Sequence, residues 1–155
     1  MTTLESTDLK VPWVAVTLHF PWNSKRRQRQ VMLSKWIYES RKHLKLRLAY
    51  IGAVFQKHRS NLHHAHLTLF GINKQVGFGI LDINTAELQA LWFKITGLKG
   101  FKAIQIEVKK DFNRWNNHYI FQKNVKEAKD YESIYFNTQL LKAAGIKISK
   151  KGFTK

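Results

Sequence analysis

The 155-residue chain contains no cysteine, which excludes disulfides and thiolate metal sites; any metal must rest on histidine, carboxylate or amide oxygen. Acid is also scarce. Ten Asp+Glu stand against 27 Lys+Arg, a formal charge of +17 and a pI near 10.2, and Glu39 is the only acid between residues 9 and 81. No apolar run approaches the ~20 residues of a membrane-spanning helix. The opening segment MTTLESTDLK is polar and carries acids, unlike a signal or transit peptide, so the chain reads as intracellular, in the cytoplasm. There are no internal repeats and no low-complexity linker. What remains is a globular composition, 44% hydrophobic and 24% charged, long enough for one domain with a real core. A folded domain this basic meets a polyanion, nucleic acid foremost, with a ribosomal-type RNA coat or a membrane-surface binder as the plainer alternatives.

Residues 1–10 read as a flexible leader and residues 146–155 as a basic tail, possible prelude to a further C-terminal region; residues 11–145 form the domain. Alternation of apolar and polar positions predicts a strand over 11–20 (VPWVAVTLHF), with Ala15, Thr17 and His19 on the face opposite Val14, Val16 and Leu18. A helix follows over about 24–43, capped by Asn23 or Ser24 and opening with Lys25-Arg26-Arg27-Gln28-Arg29. Strands over 46–57 and 62–70 make a hairpin around a turn at 59–61. A helix over 85–96 ends at Gly97, and a strand over 101–109 comes next. Helices are predicted over 113–124 and about 131–144. The expected fold is α+β: a central antiparallel sheet with flanking helices, of the RNA-recognition or ferredoxin-like kind.

The chemistry centres on His64-Ala65-His66. Alternate residues of a strand share a face, so the two imidazoles project together from a rigid element while Ala65, Leu67 and Leu69 enter the core. With a three-residue turn at 59–61, cross-strand partners sum to 120 and Gln56 falls opposite His64, ~5 Å away. Its amide oxygen then completes a site with both rings, suited to Mn²⁺ or Mg²⁺. Glu107 is the acidic alternative if its strand lies beside the hairpin. His63 faces the core side and His58 sits at the turn, so neither joins. Downstream, Tyr119 and Lys123 share a helical face. A phenol with pKa ~10 becomes a useful nucleophile when a metal polarises the phosphate and a lysine offsets the developing charge.

Three ordered motifs, WVAVTLHF (13–20), HHAHLTLFG (63–71) and HYIFQKN (118–124), together resemble those of the HUH endonucleases, and among them the rolling-circle replication initiator (Rep) proteins of plasmids and single-stranded DNA viruses. The spacing Tyr-x₃-Lys departs from the common Tyr-x₂-Lys, and Ala65 is smaller than the usual flanked residue. The resemblance implies that Tyr119 attacks a specific phosphodiester of single-stranded DNA, with Lys123 assisting and a metal on His64, His66 and Gln56. It also implies Arg26, Arg27 and Arg29 as backbone contacts and Trp22 and Trp115 as stacking platforms. Implied partners are an origin or hairpin in single-stranded DNA and a helicase or host replication machinery, in the host nucleus for a eukaryotic virus; no membrane is involved. Other readings stay open: a compact HUH transposase with Tyr135-x₃-Gln139 on its late helix, a metal-only hydrolase, or a noncatalytic RNA- or DNA-binding module. Tyr131 is a further tyrosine near Tyr135.

Overall fold

A computed structural model describes residues 13–45, 47–57, 62–72, 85–100, 103–109, 128–143, 148–149 and 152–153. Seven strands and three helices lie in these residues: β1 (Trp13–His19), α1 (Arg26–Leu44), β2 (Arg47–Lys57), β3 (His63–Ile72), α2 (Thr85–Thr96), β4 (Ile104–Lys109), β5 (Ala128–Phe136), α3 (Thr138–Ala143), β6 (Ile148–Ser149) and β7 (Gly152–Phe153). The first five strands form one antiparallel sheet in the order β4-β1-β3-β2-β5, and β6 pairs with β7 within the stretch read as a basic tail. The β-α-β-β-α-β order with β1 and β3 central is the ferredoxin-like arrangement, here extended by β5. No helix among the described residues is long and apolar enough to cross a membrane.

One face of the sheet carries the main core. Val14, Val16 and Leu18 of β1, Leu48, Tyr50 and Val54 of β2, and Ala65, Leu67 and Leu69 of β3 pack with Leu33, Trp36 and Ile37 of α1 and Leu88 and Trp92 of α2. These are the apolar positions of each alternation, and each large side chain so buried stabilises by roughly 1.5–3 kcal/mol. The two indoles meet edge to face, centroids 6.1 Å apart. Each also satisfies its N–H: Trp36 Nε1 donates to the Leu88 carbonyl (3.0 Å) and Trp92 Nε1 to the His19 carbonyl (3.1 Å). Helix α1 has its N-cap at Lys25, just beyond the expected Asn23 or Ser24, with the Lys25 N–H donating to the Gln28 side chain (2.8 Å). It stops at Lys45 in the left-handed region (φ 55°), and α2 stops at Gly97 (φ 77°), whose N–H donates to the Phe93 carbonyl (2.8 Å).

The predicted helix over 131–144 is not what forms. Ala128–Phe136 is strand β5, and only Thr138–Ala143 is helical. Tyr131, Ser133 and Tyr135 alternate with Glu132, Ile134 and Phe136, which suits a strand that pairs along the outer side of β2. Asn137 turns the chain at φ 68°; its Oδ1 accepts from the Leu140 N–H and its amide donates to the Leu48 carbonyl, both at 3.2 Å. The predicted helix over 113–124 lies outside the described residues.

Strands β2 and β3 approach closely at Gly52, where an added Cβ would run into the His66 carbonyl oxygen. Because that neighbour is backbone in the middle of a sheet, it has little room to yield. Gly52→Ala is therefore expected to destabilise the fold by about 1–3 kcal/mol, the usual range for overpacking, measurable as a lower midpoint in urea unfolding.

Candidate functional site

The face away from α1 and α2 is organised in rows set by strand pairing. One row runs His19 (β1), His64 (β3), Phe55 (β2), Tyr131 (β5); the next runs Gln105 (β4), Thr17, His66, Ala53, Ser133. Residues opposite one another in antiparallel strands share a face. So the His-x-His pair, on the central strand, meets a third histidine from β1. His64 and His66 stand with ring centroids 4.9 Å apart and nearly perpendicular, and His19 stacks on His64 at 5.9 Å. Phe55 lies beside both members of the pair, 5.6 Å from His64 and 5.8 Å from His66, and is 1% exposed.

Polar contacts orient these rings. Thr17 Oγ1 and His66 Nδ1 are 3.2 Å apart. When Nδ1–H donates to the hydroxyl, Nε2 carries the lone pair and is the nitrogen left to bind a metal. Burial pushes the His19 pKa below its ordinary value, which favours the neutral ring. His19 is also fixed through its backbone: its N–H donates to the Ala103 carbonyl (2.8 Å) while its carbonyl accepts from Trp92. Two imidazoles two positions apart on a strand, in a chain without thiols, offer nitrogen ligands of the type that divalent transition ions accept. Among the described residues, however, no three His, Asp or Glu side chains already converge as a metal-holding group.

The expected third ligand is not in place. Cross-strand partners of the hairpin sum to 119, not 120: Phe55 lies opposite His64, and Gln56 lies opposite His63. A one-residue change of register moves a side chain to the other face, so Gln56 belongs to the α1 side. There it lines a cleft of about 330 Å³ with His63, Arg26, Arg29 and Glu132. Glu107 does share the histidine face, but β1 separates its strand from β3 and it pairs with Ala15, in the row beyond His66. That puts it two strand spacings, about 10 Å, from β3 before any offset along the strand.

Tyr119, Lys123 and Trp115 lie outside the described residues, as does His58. Tyr135 and Gln139 do not share a helix, since the first is on β5 and the second on α3; the transposase spacing therefore loses its geometry. Tyr131 and Tyr135 do project to the histidine face, 43% and 51% exposed, and Tyr131 stacks on Phe55 at 6.2 Å. Tyr50 faces the helices, where burial pushes its pKa up to about 12. Of the three arginines, Arg26 is ion-paired with Glu132 on β5, and Arg29 donates to the Ser24 carbonyl. Burial lowers the Arg29 pKa, an effect that nearby Glu132 opposes. Arg27 is exposed and lines a shallow groove of about 800 Å³ with Lys25 and Trp22, the last 68% exposed.

Sequence reasoning missed His19. The signal was present, since His19 sits on the outward parity of its strand with Thr17, but only the β1–β3 pairing brings it opposite His64. Comparison with protein-family models, curated proteins and solved structures finds no match to this chain.

Thr17→Val removes the hydroxyl beside His66 Nδ1. In ¹⁵N spectra above pH 7.5 the His66 ring of the wild type is expected as the Nδ1–H tautomer, with the variant shifting toward Nε2–H. An unchanged tautomer would show that Thr17 does not orient the ring.

Proposed function

We propose that this chain is a metal-assisted endonuclease and strand transferase of single-stranded DNA, of the kind that initiates rolling-circle replication. The observation that carries the reading is the pair His64 and His66 on the central strand β3, facing away from the helices. The three motif resemblances support it, as does the +17 charge, which supplies phosphate affinity. The groove of Trp22, Lys25 and Arg27, close in sequence to the end of β1, offers an exposed indole beside cations, a combination suited to unpaired bases and their phosphates.

In this reading His64 and His66 hold a divalent ion, Mn²⁺ or Mg²⁺, whose chemistry is to polarise the scissile phosphate. The Tyr119 phenol gives up its proton to solvent and its oxygen bonds to phosphorus. The bond from phosphorus to the 3′ oxygen breaks, and that oxygen takes up a proton. The 5′ phosphate stays on the tyrosine, so rejoining needs no nucleotide triphosphate. Lys123 offsets negative charge as it develops, and Thr17 keeps the His66 ring in its ligand tautomer. The central strands lend themselves less to a noncatalytic base-stacking module, because β1 and β3 carry Thr17, His19, His64 and His66 on this face, and the exposed rings Tyr131 and Tyr135 lie on the edge strand β5.

The test uses labelled single-stranded oligonucleotides with Mn²⁺. A covalent adduct is expected, with Tyr119 identified in the DNA-linked peptide by mass spectrometry and the adduct lost in Tyr119→Phe. An adduct that survives Tyr119→Phe but disappears in Tyr131→Phe or Tyr135→Phe moves the nucleophile to β5. Cleavage without an adduct points to a hydrolase, and binding alone to a module. His64→Ala and His66→Ala are each expected to lower nicking at least about 100-fold while DNA affinity changes less than about threefold, since phosphate contacts dominate affinity. Normal nicking in either variant sinks the metal assignment.

A further inference from the structure

We infer that the cleft between the start of α1 and strands β2 and β5, on the side of the sheet away from the histidine pair, is a second site and takes a guanine nucleotide. Its use on a base of the nicked strand rests on the nuclease reading, but its grounds do not involve the histidine pair. The cleft holds about 330 Å³, at the lower end of the roughly 300–1,000 Å³ of small-molecule sites and enough for one nucleotide. Leu33 and Val54, both buried, and the half-buried Ile134 supply apolar walls against which a planar ring loses water from its faces.

The polar groups of the cleft select the base. Val54 pairs with Glu132 across β2 and β5, so Gln56, two positions along β2, is a diagonal neighbour of Glu132 on the same face, about 7–8 Å away. One base edge reaches both side chains. The carboxylate only accepts hydrogen bonds, whereas the Gln56 amide also donates. Guanine is the base whose pairing edge sets two N–H donors side by side, at N1 and N2, next to the O6 acceptor. Glu132 takes the two donors and the Gln56 amide meets O6. Adenine and cytosine place an acceptor nitrogen beside their amino group, and thymine flanks its single ring N–H with carbonyls. Each of these turns a lone pair toward the carboxylate.

The arginines receive the phosphate. Arg26 is paired with Glu132, yet its side chain is 70% exposed, and an ion pair so open to water is weak and cheap to exchange. The guanine N–H groups take over the carboxylate, and Arg26 turns to the phosphate, whose oxygens match its fork of donors. Arg29, already held by the Ser24 carbonyl, adds a second positive charge at the same cleft without having to move.

The experiment titrates the full chain with dGMP, dAMP, dCMP and dTMP by ¹⁵N NMR, and compares oligothymidylates carrying one central dG or dA by fluorescence anisotropy, all in chelator so that no strand is cut. Guanine is expected to bind at least about tenfold more tightly than the other bases, with amide shifts centred on Val54, Gln56, Glu132 and Ile134. Glu132→Gln is expected to bring guanine within about threefold of adenine, while Arg26→Ala weakens every nucleotide alike and keeps their order. Circular dichroism checks the fold; should Glu132→Gln fail to fold, Gln56→Ala, which leaves the ion pair in place, is expected to lower guanine affinity about fivefold. A preference for the dG oligonucleotide assigns the base to a strand, and one seen with dGMP alone assigns a free nucleotide. Absence of any guanine preference, a preference that survives these variants, or shifts centred instead on Trp22 and Arg27 or on the histidine pair, overturns the site. Because no metal and no cleavage enter these measurements, failure here leaves the nuclease reading standing, and a chain that never nicks leaves this site standing.

Discussion

The placement of β3 between β1 and β2 is the constraint on which the rest depends. A strand has two faces and a period of two, so its register decides at once what enters the core and what faces the other way. Here Ala65, Leu67 and Leu69 go to the helices while His64, His66 and Thr68 go the other way. The register is held from both sides. On β1, Val16 and Leu18 pair with Leu67 and Ala65; on β2, Gly52 admits the backbone of Leu67 and the His66 carbonyl at a distance no side chain would allow. A slip by one residue would bury two imidazoles in an aliphatic core, a heavy desolvation cost.

The helices secure the histidine face indirectly. Trp92 of α2 is fully buried against Trp36 of α1, and its indole N–H reaches through the layer to the His19 carbonyl. One side chain thus links helix packing to the end of β1, where the third histidine sits. On the same side of the sheet the Arg26–Glu132 ion pair bridges the start of α1 and β5, with the Arg26 side chain still largely exposed. Arg27 and Lys25, in the groove with Trp22, are further exposed cations of that block.

Much of this architecture was legible in the sequence, and the failures have physical causes. VTLH and AHLTL alternate cleanly, so β1 and β3 and their faces could be read; GAVF is apolar throughout and marks β2 as a strand without fixing its faces, and α1 and α2 were legible from their apolar stripes. The α+β sheet with flanking helices followed from the order of those elements. Pairing register did not follow, because it depends on the connection at 58–61, whose geometry turn residues alone do not fix; one residue of error carried Gln56 to the wrong face. Strand β5 was misread because Tyr131, Ile134 and Tyr135 satisfy a helical spacing as well as a two-residue one, and what favours a strand is the neighbouring edge of β2. His19 escaped notice for a related reason: a lone histidine near a strand end acquires meaning only from what another strand places across from it.

Phe55 has a consequence for traffic at the site. Its ring is buried beside both His64 and His66, and it occupies the position that a polar side chain was expected to fill. An ion between those imidazoles would meet hydrocarbon on that flank and exchange its remaining coordination partners only through the opposite hemisphere. On the nuclease reading proposed above, an entering and a leaving strand would then share a single doorway, bounded on one side by that aromatic wall.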